Sequence, residues 1–143
     1  MIKKISVLVI CFFVLSCISD KTNSKISKEI RRKCPNLSSC VVNFNDLIKD
    51  DWDYVLITKE QISLEELNKL LGFEYPYFSD IGSRIIFVKG NKVVYHEDEF
   101  PQTETVLKGT LKFKLENNFL KLKKENAKFS VTENNRYIEL SVL

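Results

Sequence analysis

The chain has 143 residues, of which 22 are Lys or Arg and 19 are Asp or Glu, and its formal net charge is +3. Removing Lys3 and Lys4, which belong to an N-terminal leader, leaves 20 basic residues against 19 acidic ones, so the remainder is nearly neutral. Nucleic-acid-binding proteins normally carry a basic stripe or patch, whereas Lys and Glu are mixed here, so we expect no nucleic-acid partner. The length suits one domain with one hydrophobic core.

The N-terminal leader has the three-part layout of an export signal. A short basic start precedes the apolar stretch 5–15, and the small residue Ser16 stands just before Cys17. A membrane-spanning helix needs about 20 apolar residues, but polar residues begin already at Ser19. We therefore predict a signal peptide at 1–16, with an uncleaved anchor helix as the alternative.

The end of this leader, Val14-Leu15-Ser16-Cys17, resembles the lipobox of bacterial lipoproteins. In that family signal peptidase II cuts before the Cys, which becomes the acylated N-terminus. The resemblance implies that Cys17 carries acyl chains such as palmitate, and that these hold the protein on a membrane of the cell envelope, facing the periplasm or the exterior. Each buried methylene contributes about 0.8 kcal/mol to such an anchor. Leu15 is larger than the Ala or Ser usual in a lipobox, so a cut after Ser16 by the general signal peptidase stays open.

The four cysteines agree with export. Cys11 leaves with the signal peptide, and Cys34 and Cys40 lie close together in the sequence, which leaves Cys17 as the odd one. An exported chain meets an oxidising compartment, so we predict a disulfide between Cys34 and Cys40 and lipid on Cys17. The rival, a metal site, needs further Cys or His ligands, and the single His is far along the chain. We expect no metal and no other cofactor.

Residues 17–33 are predicted to be a lipidated tether with a short helix at 26–33, and residues 34–143 an α+β domain. Strand composition appears at 40–44 and 52–58. Asp50, Asp51 and Asp53 surround Trp52, and clustered carboxylates can bind calcium, but the EF-hand spacing is absent. We favour solvated acids beside an anchoring Trp52, with Trp52 and Tyr54 on one face of a strand.

The segment Asp51-Trp-Asp-Tyr-Val-Leu-Ile57, followed by a capped helix, is similar to a pattern of small exported bacterial proteins of uncharacterised function. The resemblance spans only part of the chain and implies no activity. The helix itself is predicted from Ser63-Leu-Glu-Glu66, a capping-box arrangement, and from Gly72, which suits the left-handed position after a helix. Between them an apolar stripe recurs at helical spacing and is expected to cover a sheet: Leu64, Leu67, Leu70 and Leu71.

Two hairpins are predicted farther along. Gly90-Asn91 joins 84–89 to 92–97, and a two-residue turn there would place Arg84 opposite Glu97. Both faces of this hairpin are apolar, so we expect it to lie centrally under the Leu-rich helix. The second hairpin, around 134–135, would pair Val131 with Ile138. Between the two, 105–115 shows clean strand alternation, and 119–124 is expected to return beside it. We predict an antiparallel sheet of about six to eight strands with one main packing helix.

Lysines on these last strands favour solubility and blunted sheet edges. A basic outer face that meets anionic lipid headgroups or polysaccharide is the alternative. The lysines concerned are Lys108, Lys112, Lys114, Lys121, Lys123 and Lys124.

The segment 73–78 is aromatic and contains a proline, which is typical of a loop. Its aromatic side chains are expected to fill the core for the most part, but aromatic residues are also enriched at binding surfaces. This loop is therefore our candidate recognition surface, and its residues are Phe73, Tyr75, Tyr77 and Phe78.

His96 precedes three acidic residues, and a His among carboxylates is typical of a base or a ligand. No nucleophile motif and no His-Glu-x-x-His spacing accompanies it, so we favour a solvated strand end. The chain as a whole is then expected to be a non-catalytic binding or accessory lipoprotein that meets an envelope protein or glycan. Two alternatives stay open: an immunity-type protein that neutralises a toxin in the periplasm, and a small hydrolase that uses His96.

Overall fold

A computed structural model describes residues 24–80, 82–99, 109–133 and 137–143. The predicted signal peptide, Cys17, the first part of the tether and Lys108 lie outside the described residues. The described part contains three helices and eight strands: α1 (Lys25–Lys33), β1 (Cys40–Asn43), α2 (Phe44–Leu47), β2 (Tyr54–Thr58), α3 (Leu64–Leu71), β3 (Ser83–Lys89), β4 (Lys92–Glu99), β5 (Thr110–Phe113), β6 (Phe119–Lys123), β7 (Lys128–Glu133) and β8 (Tyr137–Val142).

The strands form two four-stranded sheets. One has the order β1-β7-β8-β5 and the other the order β4-β3-β2-β6. All pairs are antiparallel except β5 and β8, which run parallel. The α+β class and the number of strands are confirmed, but the strands divide between two sheets and do not form a single one.

The larger core lies between the two sheets. Phe44 of α2 is at its centre, with its ring centroid 4.5 Å from that of Phe129 and 5.7 Å from that of Phe87. Helix α1 contributes Ile26 and Ile30, which are fully buried in the same core. The segment predicted to be the end of a tether therefore packs with the sheets, because its two isoleucines lie on one face of a helix.

The smaller core lies on the other face of the β4-β3-β2-β6 sheet, under α3. Leu67 and Leu71 pack there against Ile86 and Val88 of β3. Burying Leu67 completely stabilises the fold by roughly 2 kcal/mol. The hairpin 84–97 was expected to lie centrally, and this is correct for one of its strands. β3 lies inside the sheet and is covered by α3, as the apolar residues on both of its faces predict. β4 is an edge strand.

The termini of α3 also agree with prediction. The Ser63 hydroxyl accepts a hydrogen bond from the Glu66 amide at 3.1 Å, and Gly72 adopts φ 81°, a left-handed conformation that costs other residues energy. Leu64, at the first position of α3, remains exposed.

The predicted register of the first hairpin is correct only beside the turn. Val88 pairs with Val93, but a bulge leaves Val94 as an extra residue in β4, so Arg84 pairs with Asp98 and not with Glu97. One inserted residue exchanges the two faces of the strand beyond it.

The other register predictions were also wrong. Val131 pairs with Leu140, two residues beyond the predicted partner; a slip of two keeps every side chain on its predicted face, so the apolar pattern does not distinguish the two registers. Strand β6 pairs with β2, while β5 pairs with β8. The chain thus changes sheets between β5 and β6, where a hairpin was expected.

Candidate functional site

The aromatic loop, residues 73–78, is held in place by its neighbours. The Tyr75 amide donates a hydrogen bond to Asn68 Oδ1 of α3 at 2.7 Å. The preceding turn is fixed from the sheet side, because the Tyr54 hydroxyl donates to the Leu71 carbonyl at 3.2 Å and Lys121 Nζ donates to the Leu70 carbonyl at 2.8 Å. The loop therefore has a defined path over β3 and β4.

The structure divides the four candidate aromatic residues into different roles. Tyr75 is only 2% exposed and belongs to the smaller core. Phe73 and Phe78 are half-buried against that core. Tyr77 is 50% exposed. The part of the loop that is open to a partner is therefore centred on Tyr77.

Tyr77 lies flat on His96 of β4. Their ring centroids are 4.3 Å apart and the planes differ by 15°. Tyr75 meets Tyr77 edge-on with a centroid distance of 5.8 Å, and its hydroxyl lies 3.4 Å from Asp98 Oδ1. Burial raises the pKa of the Tyr75 phenol, and the Asp98 charge adds to the effect. The Tyr75 hydroxyl therefore stays protonated and donates a hydrogen bond from the loop to Asp98 of β4.

Arg84 of β3 stabilises the C-terminal end of the loop through hydrogen bonds to backbone carbonyls. It is 1% exposed, its Nη1 donates to the Gly82 carbonyl at 3.1 Å, and its Nη2 donates to the Ser79 carbonyl. The guanidinium also lies 4.7 Å from the centroid of the Phe78 ring. Sequence reasoning missed this residue, since a single Arg at the start of an apolar strand gives no signal of burial.

The bulge in β4 decides that His96 takes part in this site. In the register predicted from the turn, Tyr95 would lie opposite Ile86, under α3. The extra residue Val94 places His96 opposite Ile86 instead. His96 and Asp98 therefore face the aromatic loop, whereas sequence reasoning had placed His96 at a solvated strand end.

The geometry around His96 bears on the hydrolase alternative. His96 Nδ1 lies 3.6 Å from Asp98 Oδ1, which is too long for a hydrogen bond. One face of the imidazole is covered by the Tyr77 ring. Among the described hydrogen bonds, none joins His96 to a Ser hydroxyl or a Cys thiol, the partner that a His-activated nucleophile requires.

The second candidate cluster, the acids around Trp52, is an ion-pair network. Asp53 accepts hydrogen bonds from the Gly90 amide and from Lys89 Nζ, both at 2.8 Å, and the amide together with the ammonium group lowers the pKa of Asp53. Asp51 lies 3.2 Å from Lys89 Nζ.

Trp52 and Tyr54 do not lie on one face, as the alternation of a strand had predicted. Trp52 is buried against the larger core, while Tyr54 packs beside α3. Strand alternation does not apply to Trp52 because β2 begins at Tyr54.

The alternative of one basic outer face needs the lysines of β5 and β6 on one sheet. The described ones are distributed over both sheets, because β5 and β6 do not pair. Several of them lie over aromatic rings: Lys112 Nζ is 4.8 Å from the centroid of Tyr137 and Lys121 Nζ is 4.2 Å from that of Tyr54. These positions are explained by contacts within the chain.

A disulfide joins Cys34 to Cys40, with the Cα atoms 5.7 Å apart. The predicted pairing is thus present, and it closes the short loop between α1 and β1. The described residues contain no group of three or more His, Cys, Asp or Glu side chains arranged to hold a metal ion. Within them no helix is both long and apolar enough to cross a bilayer.

Comparison with protein-family models, with curated proteins and with solved structures finds no match to this chain.

Proposed function

We propose that this chain is a lipid-anchored protein of the bacterial cell envelope that acts by binding, without catalysis. It presents the exposed side of the loop 73–78 around Tyr77, here called the Tyr77 surface, to an envelope protein or glycan. The observation that carries the proposal is the pose of Tyr77: half of it is exposed while its ring is stacked on His96. A rigid, exposed aromatic ring supplies contact area at little cost in conformational entropy, and Tyr is enriched at interaction surfaces.

The proposed localisation in the cell envelope is supported by the Cys34–Cys40 disulfide, since disulfides persist in oxidising compartments and are rare in the cytosol. Acylation of Cys17 would leave residues 17–23 between the membrane and Ser24, the residue that precedes α1. Seven residues span at most roughly 25 Å, so the domain would stay close to the bilayer. Its partner is then sought in the envelope.

The anchor is tested by intact-mass measurement of the protein taken from its native membrane. We expect cleavage before Cys17, added acyl mass on that residue, and the loss of two hydrogens that the disulfide requires. A protein that keeps its leader and has reduced thiols would overturn the proposed localisation.

The binding surface is tested by site-specific photo-crosslinking on intact cells. Tyr77→p-benzoylphenylalanine is compared with Val41→p-benzoylphenylalanine, because Val41 is similarly exposed, at 59%, but lies on β1 in the other sheet. We expect a discrete adduct at position 77 and none at position 41. Equal adducts at both positions, or none at position 77, would contradict the proposed surface.

The alternative of a small hydrolase has its own test. His96→Ala would abolish turnover by an enzyme of that kind, whereas a binding protein would show only weaker capture of its partner, because Tyr77 loses the ring on which it rests. Full loss of a hydrolytic activity in this variant, with partner capture unchanged, would favour the enzyme over our proposal.

A further inference from the structure

We infer that the Tyr77 surface recognises a basic segment of a partner protein, with a Lys or Arg side chain placed over the outer face of the Tyr77 ring. This inference rests on the proposed function, and it chooses one partner chemistry for the same surface. Two independent features of the described residues support it: the way in which the other tyrosines are covered, and the sign of the charge around the loop.

The first feature is a regularity among the five tyrosines of the chain. Tyr75 is buried. Three others each have a lysine of this chain over the ring, and the distances from Nζ to the ring centroid are 4.2 Å for Lys121 and Tyr54, 5.5 Å for Lys25 and Tyr95, and 4.8 Å for Lys112 and Tyr137.

Tyr77 departs from this regularity. It is the tyrosine with the greatest exposure, and in the part of the chain that the structure describes no Lys or Arg lies over its ring. The electron-rich face of a Tyr attracts a cation from within about 6 Å. One face of Tyr77 is occupied by His96, so an intermolecular cation has the other face available.

The second feature is the negative charge of the surrounding surface. Glu74 of the loop and Asp80, two residues after the loop, are both exposed. Between Lys69 and Lys89 the sequence contains one basic residue, Arg84, and its side chain is buried. The segment between Lys69 and Lys89 therefore offers two exposed carboxylates to a partner, while its single cation, Arg84 of β3, is buried.

Neighbouring elements do not reverse this sign. Strand β4 adds Asp98, whose side chain is 12% exposed, on the face that carries His96. Helix α3 sets Glu65 and Glu66 against Lys69 and against Lys121, whose Nζ lies on the Leu70 carbonyl. A surface of one sign steers an oppositely charged partner and raises its rate of association. An aromatic ring set among carboxylates thus fits a basic peptide segment better than a neutral glycan or an acidic one.

The test is titration of the full-length protein in detergent with hexaarginine amide, followed by the NMR signals of Tyr77 and His96, with hexaglutamate as the probe of opposite charge. We expect shifts confined to the loop and β4 with hexaarginine, and none with hexaglutamate. Tyr77→Phe keeps the ring and should bind like the wild type. Tyr77→Leu keeps the apolar area but loses the π-face, and should bind about threefold to fivefold more weakly.

A matched pair of charge variants completes the experiment. Glu74→Gln with Asp80→Asn should weaken hexaarginine binding and reduce its dependence on salt. The control, Asp46→Asn with Glu125→Gln, removes two exposed acids from other faces and should leave loop binding unchanged. Equal effects of the two double variants, or equal affinity of Tyr77→Leu and wild type, would overturn the inference. A crosslink at position 77 with no response to hexaarginine would leave the binding surface standing and refute only the basic partner.

Discussion

Glu97 of β4 holds Ser24, the first described residue, at the start of α1. The Ser24 hydroxyl donates to Glu97 Oε2 at 2.6 Å, and the Ile26 amide donates to Oε1 at 3.0 Å. A carboxylate at this position also interacts favourably with the N-terminal end of the helix dipole. The point where the proposed tether meets the domain is therefore fixed to the sheet.

We expect Glu97→Gln to loosen this attachment. Glu97 also accepts a hydrogen bond from the Tyr95 hydroxyl. The Gln amide keeps one acceptor oxygen in place of two and loses the charge, so the free energy of unfolding should fall by about 1 kcal/mol. Amide hydrogen exchange should accelerate in α1 before it does in β7. Urea unfolding and exchange mass spectrometry measure both effects. Equal acceleration in α1 and β7 would show that Glu97 supports the whole domain and not the start of α1.

Glu99 predicts a pH dependence of stability. Its carboxyl accepts a hydrogen bond from the Leu111 amide at 3.1 Å, yet burial raises the pKa of Glu99 to about 7. Between an unfolded-state pKa of about 4.3 and a folded-state pKa of about 7, the unfolded chain has released the proton that the folded chain keeps. Stability should therefore fall as pH rises through this window.

Glu99→Gln removes this titration and keeps an acceptor for the Leu111 amide. Relative to the wild type, the variant should gain roughly 3 to 4 kcal/mol at pH 8 and much less at pH 4.5. Urea midpoints across the pH range measure the difference. A difference that does not change with pH would exclude Glu99 as the titrating group.

Arg84→Met should free the aromatic loop. The Ser79 and Gly82 carbonyls lose their donor, which costs about 1 to 3 kcal/mol, although the removal of a buried charge offsets part of this. Hydrogen exchange should increase in residues 73–80, and the ring-current shift of His96 should weaken as Tyr77 leaves it. Arg84→Lys, which keeps the charge but not the forked donors, should give an intermediate effect. Unchanged exchange in this segment would contradict the role of Arg84 as the fastening of the loop.

Joint replacement Cys34→Ser and Cys40→Ser should lower the free energy of unfolding by about 2 kcal/mol, because the disulfide closes a short loop. The same loss should follow when the wild type is unfolded in the presence of a reductant. Equal stability of the oxidised and reduced wild type would show that this disulfide does not restrict the unfolded chain.

Local signals were sufficient for the isolated elements of this fold. Ser63 and Gly72 bounded α3 because capping and the left-handed terminus depend on a few neighbouring residues. The pairing of Cys34 with Cys40 followed from their short separation. Registers were less predictable, because Val131 can face Ile138 or Leu140 without moving an apolar side chain to the wet side.

The candidate site was predicted in part. The loop 73–78 was identified from its aromatic residues, but its composition does not tell which of Tyr75 and Tyr77 is buried. That difference depends on Asn68 and Asp98, which hold Tyr75 from two other elements. Arg84 was missed for the same reason, since its partners are carbonyl groups placed by the loop above it.

By itself the sequence determined α1, α3, the disulfide pairing and the two-sided burial of β3, since each depends on spacing within one short segment. It did not predict α2, because Phe44, which begins that helix, was expected to end a strand. Only the tertiary structure decided that β5 and β6 belong to different sheets and that His96 lies under Tyr77. The position of His96 has a physical reason in the extra residue Val94, which exchanges the two faces of β4 beyond it. As a result Glu97 faces α1 and His96 faces the aromatic loop.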